Sequence, residues 1–404
     1  MRTRGILAAF AAALSVVLMV GLARNGADLL RADRAVTETK RTATDTAPAD
    51  AGAGTEVQLR AVTFNMCGGM CNKGGTDKLH HIEKQITDFQ PVHLIMLQEV
   101  CYPQFQWFQN RYEGTYEFGF TPLLTNYTGC GVSDCSVNMD SDPANDDTRC
   151  WIGQVVGARG TLGPPDKISL GGENHQIKAD GSPVVPARTF NALCYDATLV
   201  GVPGKVKGCS VHMRAFDDPK GVNDRARSAQ AARLASELDD DIDAGKVVVV
   251  GGDFNAVPQP HKGPQLDSFY RPDAEPGGGI GRFYEADSDD NGDPDGPGGD
   301  PAYWTMTDPD CAAPAKTCRS GQSTTVDLSP TEADQRNSKI DHLFFSEATT
   351  PESLSGASVP LYFKDAARTE TTPHTYDAAK DANGKYLKLS EHTFYRGLAT
   401  VTVS

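Results

Sequence analysis

Short apolar runs alternate with helical patterns along most of the chain. The run Val247–Val250, "VVVV", has no polar alternation, which predicts a strand buried on both faces. Gly251 and Gly252 follow it and predict a turn or a close approach of another group to the backbone. Earlier, His80–Phe89 places its apolar residues on one helical face, and His93–Val100 predicts the strand that follows.

Two strands and a long helix are predicted in the middle of the chain. Residues 187–201 and 205–213 predict strands on either side of a Pro/Gly turn. Residues 223–243 predict an amphipathic helix with Asn223 or Asp224 as its N-cap, leading into the valine strand. Strand, helix and strand with later hairpins indicate a mixed α/β sandwich, and residues 127–147 and 287–300 predict long surface insertions.

The amino terminus differs from the rest of the chain. Arg2 and Arg4 precede the charge-free run Gly5–Ala23, which Arg24 closes, as in an export signal. The run is also long enough to span a bilayer. Residues 1–34 are therefore predicted to be a signal peptide or an uncleaved signal anchor, and the protein to be secreted or held at the cell surface.

A linker and one large domain are predicted after this segment. Residues 35–56 are rich in Thr, Ala, Asp and Gly and predict a disordered linker. Residues 57–404 are long enough to bury a substantial core and are interpreted as one domain.

Ten cysteines in an exported chain predict disulfides, because the thiols would leave the reducing cytosol. Four pairs lie close in sequence: Cys67 with Cys71, Cys130 with Cys135, Cys194 with Cys209, and Cys311 with Cys318. Cys101 and Cys150 would then be left to pair, although spacing does not determine connectivity. A zinc site is disfavoured because the chain has no CxxC pair.

The charge balance limits the binding modes. The formal net charge is −15 and no cluster of Lys and Arg stands out. This disfavours a protein that binds nucleic acid by bulk charge. It is compatible with an enzyme that meets phosphates locally through metal ions and a few basic groups.

Acidic side chains lie within apolar strands, where an unpaired carboxylate is costly. Along "LIMLQEV" a period of two places Glu99 on the same face as Leu97, and along "KIDHLFF" it places Asp341 on the same face as Leu343. Taken singly, each acid is equally explained by a core hydrogen bond or a strand-end cap. Their joint occurrence with other strand-end polar residues favours a functional site.

These residues form an ordered series from the first predicted strand to the last. The series comprises Asn65 in "TFNMCGG", Glu99 in "LQEV", His212 in "SVHMR", Asp253 and Asn255 in "GGDFN", Asp341 in "SKIDHLFF" and His392 in "SEHTFYRG". In order and spacing it resembles the motif set of the endonuclease/exonuclease/phosphatase superfamily, over about residues 57–404. The resemblance implies a four-layer α/β sandwich, in which two packed mixed β-sheets are flanked by helices, and divalent-metal-assisted cleavage of phosphate esters.

The resemblance also implies a metal site. Glu99, with Asn65 beside it, would hold Mg²⁺, or alternatively Mn²⁺ or Ca²⁺, through carboxylate and amide oxygens. The family usually has Asp immediately before the last histidine, whereas this chain has Glu391, which would be a further metal contact displaced by about one methylene. Arg188 is a candidate phosphate contact, or equally a surface ion-pair residue.

The same resemblance assigns catalytic roles. Asp253 and Asn255 would orient the attacking water and contact the phosphate, with the two glycines before them making room for it. His392, paired with Asp341, would be a general base or an electrostatic partner, and His212 would donate a hydrogen bond or proton to the phosphate. Which histidine is the acid and which the base stays open at this stage.

A calcium site is a separate hypothesis for the acidic segment near residue 290. Asp287, Asp289 and Asn291 match the start of an EF-hand loop, but its twelfth position is Gly298 instead of a bidentate Glu. A solvated acidic loop is therefore favoured over a structural Ca²⁺ site.

Three functions remain in competition. The leading hypothesis is an exported metal-dependent phosphodiesterase, most simply a monomeric nuclease acting on DNA or RNA. Nucleic acid is favoured over phospholipid as the substrate. Membrane contact is expected only through the N-terminal segment, if that segment is not cleaved. The alternative is a sphingomyelinase-like or inositol-phosphate phosphoesterase, for which residues 361–370 are the candidate membrane contact, although residues 361–363 equally fit a core strand. A binding protein without catalysis is disfavoured by the full set of site residues. The candidate groups at a nucleic-acid rim are Tyr195, Arg214, Arg225 and Arg227.

Overall fold

The protein is described by a computed structural model in which part of the chain is placed. The described residues are 54–76, 79–135, 147–171, 190–215, 221–258, 265–274, 278–287, 324–325, 339–359, 390 and 392–403. The predicted signal segment 1–34 and most of the predicted linker 35–56 lie outside them, and the first strand begins at Thr55.

The first of two six-stranded sheets carries the earliest and latest strands of the chain. Its strands are β1 (Thr55–Asn65), β2 (Leu94–Cys101), β3 (Glu117–Leu124), β4 (Ile152–Ala158), β11 (Thr349–Val359) and β12 (Phe394–Val403), in the order β11-β12-β1-β2-β4-β3. The pair β1 and β2 is parallel, and its neighbours are antiparallel. The sheet is therefore mixed.

The second sheet repeats this plan. Its strands are β5 (Gly160–Ser169), β6 (Asn191–Leu199), β7 (Val206–His212), β8 (Val247–Asp253), β9 (Phe283–Glu285) and β10 (Asp341–Ser346), in the order β5-β6-β7-β8-β10-β9. Here β7 and β8 form the parallel pair. Each sheet thus has two central strands whose carboxyl ends share one edge, the usual position of sites in open α/β sheets.

The two sheets pack face to face through a buried apolar layer. Its members include Leu59, Ala61, Leu94, Met96, Val206, Val247, Val249, Leu343 and Phe345. Val248 and Val250 point the other way, into the core under the long helix, so the valine strand is buried on both faces as predicted.

Three α-helices in the described part of the chain cover the outer faces. They are α1 (Leu79–Asp88), α2 (Tyr102–Arg111) and α3 (Val222–Asp243). The first two contribute to the core outside the first sheet and α3 to the core outside the second. Helix, sheet, sheet and helix make up the predicted four-layer sandwich. Among the described helices, none combines the length and the apolar composition that crossing a membrane requires.

The start of α3 differs from the prediction. The helix begins at Val222, and its N-cap is Gly221 at φ 60°, instead of Asn223 or Asp224. The Asp224 carboxylate accepts hydrogen bonds from Arg227 and from Gln265, so it serves a side-chain network and not the helix end.

The two glycines that follow the four valines lie within β8, where the predicted close approach of other groups to their backbone is confirmed and the predicted turn is not. A Cβ on Gly251 would lie 2.5 Å from Cε of Met96 in the opposite sheet, and a Cβ on Gly252 would lie 1.9 Å from the Val211 carbonyl oxygen. They allow the sheets and the neighbouring strand to approach closely; the expectation that they make room for a phosphate was wrong.

Four disulfides cross-link the described residues, and two of them contradict pairing by sequence proximity. The bonds are Cys67–Cys71, Cys101–Cys130, Cys135–Cys150 and Cys194–Cys209. The fold brings Cys130 against the end of β2, with its Cα 5.7 Å from that of Cys101, so short spacing was the wrong guide there. Cys311 and Cys318 lie outside the described residues.

Candidate active site

The ends of the central strands of both sheets meet at one mouth. Asn65 ends β1, His212 ends β7 and Asp253 ends β8, while Asp341 begins β10 opposite Asp253. All four side chains are buried. Their strands are fixed by the apolar layer between the sheets, so the polar groups are held rigidly at its edge.

Glu99 reaches the mouth through an irregularity in β2. The register of β2 against β4 shifts between Leu97 and Val100, and Glu99 has φ 53°. Val100 then packs with Leu97 in the helix-facing core. The prediction that Glu99 shares the face of Leu97 was wrong, because the bulge turns its carboxylate toward Asn65 and His212.

The amide of Asn65 joins two carboxylates across the mouth. Its Nδ2 donates to Asp253 Oδ2 at 3.0 Å and to Glu99 Oε1 at 3.3 Å. Its Oδ1 accepts from the Cys67 N–H at 3.0 Å, which determines the orientation of the amide. Ser390 adds a hydrogen bond from its hydroxyl to the Asn65 carbonyl oxygen.

Asp253 lies at the centre of the constellation. Its Oδ1 accepts the Asn255 N–H at 2.8 Å, and its Oδ2 lies 3.6 Å from His212 Nε2 and 3.7 Å from His392 Nε2. Burial raises the pKa of Asp253 above its usual value, and the opposing attraction of His392 does not cancel this effect. Asp253 is thus a carboxyl group with a heightened affinity for a proton.

Asp341 and His392 form the predicted pair. Asp341 Oδ2 lies 2.8 Å from His392 Nδ1, and both residues are buried. Burial by itself would lower the pKa of His392, but the nearby carboxylates of Asp341 and Asp253 outweigh it and raise the pKa to about 10. The raised pKa favours the imidazolium form of His392, which suits an electrostatic partner or a proton donor.

Two groups are candidates for holding a divalent cation. Ligand atoms of Asp253, Asp341 and His392 lie within 4.8 Å of one another. However, His392 Nδ1 is engaged in a hydrogen bond with Asp341, and the His392 ring nitrogens are therefore directed at carboxylates. The Glu99 carboxylate fits a hard cation better, because it is 26% exposed at the mouth and lies beside the amide of Asn65.

The structure brings most of the predicted site residues together. Those assembled at the mouth are Asn65, Glu99, His212, Asp253, Asn255, Asp341 and His392. The Asn255 amide donates to the Met213 carbonyl at 3.3 Å, so its Nδ2 also braces the chain after His212. Arg188 and Glu391 lie outside the described residues, as do Asp289, Asn291 and residues 361–370.

The predicted nucleic-acid rim is mostly buried. Tyr195 is 6% exposed, Arg214 4% and Arg227 2%, so these three do not form an open binding surface; Arg225 is exposed. Their assignment to a rim was wrong for those three, because the faces of β6 and α3 that carry Tyr195 and Arg227 point into the protein, and Arg214 is buried in the loop after β7.

A clamp on the chain after His212 was missed. Gln230 Oε1 accepts the Arg214 N–H at 3.0 Å, and Arg227 Nη1 donates to the Arg214 carbonyl at 3.2 Å. The Met213 N–H in turn donates to the Asp253 carbonyl. The sequence did contain a signal for this clamp. Arg227 and Gln230 precede Leu234 by seven and four residues, a helical spacing that places all three side chains on the same buried face of α3.

A second missed feature is a buried ionic cluster beside Asp341. Lys339 Nζ lies 2.8 Å from Glu285 Oε1, and His342 Nδ1 lies 2.7 Å from the same oxygen. Burial would raise the pKa of Glu285, but Lys339 and His342 outweigh it and hold the pKa below its usual value. Lys339 also donates to the carbonyl of Asp287, the described residue of the suggested calcium loop. The cluster thus anchors both flanks of Asp341.

Comparisons with known proteins place this site in context. The family model described as "Endonuclease/Exonuclease/phosphatase family" matches residues 62–361. A search of curated proteins finds no match.

Solved structures show limited similarity. An endonuclease/exonuclease/phosphatase family protein from Bacteroides thetaiotaomicron is 9% identical, with 86% of this chain and 100% of that chain covered and a TM-score of 0.49. Truncated TDP2 from Caenorhabditis elegans is 11% identical, with 85% and 98% covered and a TM-score of 0.46. The human Nocturnin catalytic domain with bound sulfate is 14% identical, with 86% and 98% covered and a TM-score of 0.43.

The assignment rests on the family model, whose match includes the mouth residues from Asn65 to Asp341. The chain therefore belongs to the endonuclease/exonuclease/phosphatase family and is a hydrolase of phosphate esters.

Proposed function

We propose that this protein is a divalent-metal-dependent phosphodiesterase whose substrate is nucleic acid. The observation that carries the proposal is the bridge of Asn65 between Glu99 and Asp253, with Nε2 of His212 and of His392 lying 3.6 and 3.7 Å from Asp253 Oδ2. A cation site and two histidines thereby face one mouth, as phosphoester hydrolysis requires.

The metal would be held by Glu99, with Asn65 beside it. A bound Mg²⁺ or Mn²⁺ would neutralise charge on the phosphoryl oxygens. The Asn65 amide keeps the Glu99 and Asp253 carboxylates apart by donating to both, so Glu99 stays directed at the mouth.

Asp253 and His212 at the ends of second-sheet strands, together with His392 from the segment before β12 of the first sheet, would supply the proton chemistry. Asp253, with its raised pKa, accepts a proton from the attacking water and orients it through Oδ2. His392, held as an imidazolium by Asp341, stabilises the charge on the phosphate, and His212 donates to an oxygen on the opposite side. Asn255 holds the turn that carries Asp253.

The exposed apolar residues favour a nucleic-acid substrate over a lipid. An enzyme working at a lipid surface presents adjacent apolar side chains to it. Among the described residues, the large hydrophobic side chains with high exposure are Met70, Val200 and Ile280, which belong to three different turns. The described residues therefore present no contiguous apolar surface of the kind that a lipid-directed enzyme uses.

Export is part of the proposal. The N-terminal run and four disulfides among the described residues are typical of a protein that folds outside the reducing cytosol. Fractionation of cells tests it: protein in the medium supports a cleaved signal, protein in membranes supports an anchor, and protein in the cytosol contradicts export.

The catalytic proposal is tested with the purified full chain against plasmid DNA, RNA, sphingomyelin and inositol phosphates. Each substrate is incubated with Mg²⁺, with Mn²⁺ and with a chelator, and His392→Ala serves as the inactive control. We expect cleavage of DNA or RNA that requires the metal and is lost in the variant. Turnover of sphingomyelin or inositol phosphates alone would refute the nucleic-acid assignment, and activity that survives chelation would refute the metal.

A further inference from the structure

A disulfide-closed loop follows Asn65 immediately. Cys67 and Cys71 are joined, and the Cys71 N–H donates to the Cys67 carbonyl at 3.0 Å. Cys67 has φ 46°, in the left-handed region that favours glycine and is costly for other residues. Something must therefore hold this cysteine in its conformation.

The loop backbone contacts both proposed metal-binding residues. The Cys67 N–H donates to Asn65 Oδ1 at 3.0 Å, and the Gly68 N–H donates to the Glu99 carbonyl oxygen at 2.9 Å. The first bond turns the Asn65 Nδ2 toward the carboxylates of Glu99 and Asp253. The second holds Glu99, itself left-handed at φ 53°, in the bulge that directs it at the mouth.

We propose that the Cys67–Cys71 disulfide is a positioning element for the metal site, one that holds Cys67 left-handed so that two consecutive backbone N–H groups fix Asn65 and Glu99. This inference rests on the proposed function, since it takes these two residues as the metal site. Without the cross-link, Cys67 relaxes toward negative φ, its N–H turns away from Asn65, and the amide no longer has a set orientation.

Other bonds limit the effect of losing the disulfide. The Asn72 side chain donates to the Met66 carbonyl at 3.0 Å, and the Gly74 N–H donates to the Gly68 carbonyl at 2.9 Å. The loop therefore loosens without unfolding. We expect metal affinity to fall about tenfold, the scale set by the conformational preference of one left-handed residue.

The experiment measures Mn²⁺ binding to the full chain by electron paramagnetic resonance, which reads the site without catalysis. Cys71→Ser removes the cross-link and leaves Cys67 in an unfavourable conformation. Cys67→Gly/Cys71→Ser also removes it but places glycine where φ is 46°. Cys135→Ser/Cys150→Ser is the matched control, because that disulfide ties a loop that does not contact Asn65 or Glu99 in the described residues.

We expect about tenfold weaker binding in Cys71→Ser, recovery to within about threefold of wild type in Cys67→Gly/Cys71→Ser, and unchanged affinity in the control. Circular dichroism confirms that each variant is folded. Wild-type affinity in a folded Cys71→Ser, or an equal loss in the control, overturns the positioning role. If Cys71→Ser does not fold, weak binding by a folded Cys67→Gly/Cys71→Ser overturns it instead. Absence of Mn²⁺ binding in the wild type refutes the metal site itself.

Discussion

The two sides of the mouth are built in different ways. The first-sheet half, Asn65 and Glu99, rests on left-handed backbone and lies beside disulfide-bonded loops. The second-sheet half, His212, Asp253 and Asp341, lies at the ends of regular strands and is supported mainly by buried polar side chains, with left-handed backbone at Asn255 just after β8 and a disulfide at Cys209 in β7.

The difference matches the proposed division of chemistry. A metal ligand must stay accessible to a hydrated ion, and Glu99 is the partly exposed carboxylate of the set. Groups that handle protons gain from burial, which strengthens their electrostatic coupling, and His392 and Asp253 show the shifted pKa values that follow. Mutations in the metal-binding half should therefore change Mn²⁺ affinity, and mutations in the other half should change the rate or the stability, without affecting the other quantity.

The largest expected effect is on the rate. His392→Ala removes the cation beside Asp253, and kcat should fall by roughly 10²- to 10⁴-fold, while Mn²⁺ affinity stays near the wild-type value. Initial rates on the substrate that the four-substrate assay selects and a Mn²⁺ titration check both expectations. His80→Ala, an exposed histidine on α1, is the control. A large loss of Mn²⁺ affinity in His392→Ala would show that His392 also contributes to the metal site and would contradict separate roles for the metal-binding and proton-handling residues.

The next effect concerns the ionic support of the second-sheet half. Lys339→Met leaves Glu285 buried without its ammonium partner, and the free energy of unfolding should fall by about 3–5 kcal/mol. Urea unfolding measures it. Lys84→Met, which removes an exposed pair with Asp88, should change stability little. Equal losses of unfolding free energy in the two variants would show that the buried ion pair of Lys339 contributes no more to stability than the exposed pair of Lys84.

A smaller effect is expected on the pH dependence of stability. The pKa of His392 is raised from 6.5 to about 10 in the folded protein, so its contribution to stability is full below about pH 6.5 and is lost as the pH rises through about 10. Between about pH 6.5 and pH 9, the wild type should lose on the order of 3 kcal/mol more unfolding free energy than His392→Gln. Parallel pH profiles of the two proteins would contradict an imidazolium at this position.

The smallest effect falls on the first-sheet half. Glu99→Gln keeps the shape of the side chain but removes its charge, and Mn²⁺ affinity should fall at least about tenfold, with little change in stability since the group is partly exposed. Mn²⁺ titration and urea unfolding measure the two quantities. Glu83→Gln, in the ion pair with Arg111 on the helical surface, should leave Mn²⁺ affinity unchanged. Unaltered Mn²⁺ affinity in Glu99→Gln would show that Glu99 does not bind the cation and that another group does.

Regular alternation is where sequence-based prediction succeeded. Asp341 lies where a period of two places it, and it meets His392 across the mouth. The same rule was wrong for Glu99, because one extra residue in β2 reverses the face of the side chain that follows. The bulge has no marker in "LIMLQEV".

Cysteine pairing and charged side chains show the same limit. Cys130 is five residues from Cys135 but bonds to Cys101, because the loop folds back on the end of β2. Arg214 and Arg227 resemble surface cations in the sequence, yet they form the buried clamp behind His212. Spacing along the chain carries no information about which distant elements pack together.

The sequence by itself determined several strands, such as the valine run, and the order of polar residues at strand ends, because hydrophobic periodicity and turn residues act over a few neighbouring positions. The four-layer architecture followed from the family resemblance of that series. Tertiary structure decided which way Glu99 points, what the glycines accommodate and what holds Asn65 in place. Those outcomes depend on contacts between residues far apart in the chain, such as Gly251 against Met96 and Gly68 against Glu99, which form only when the two sheets pack.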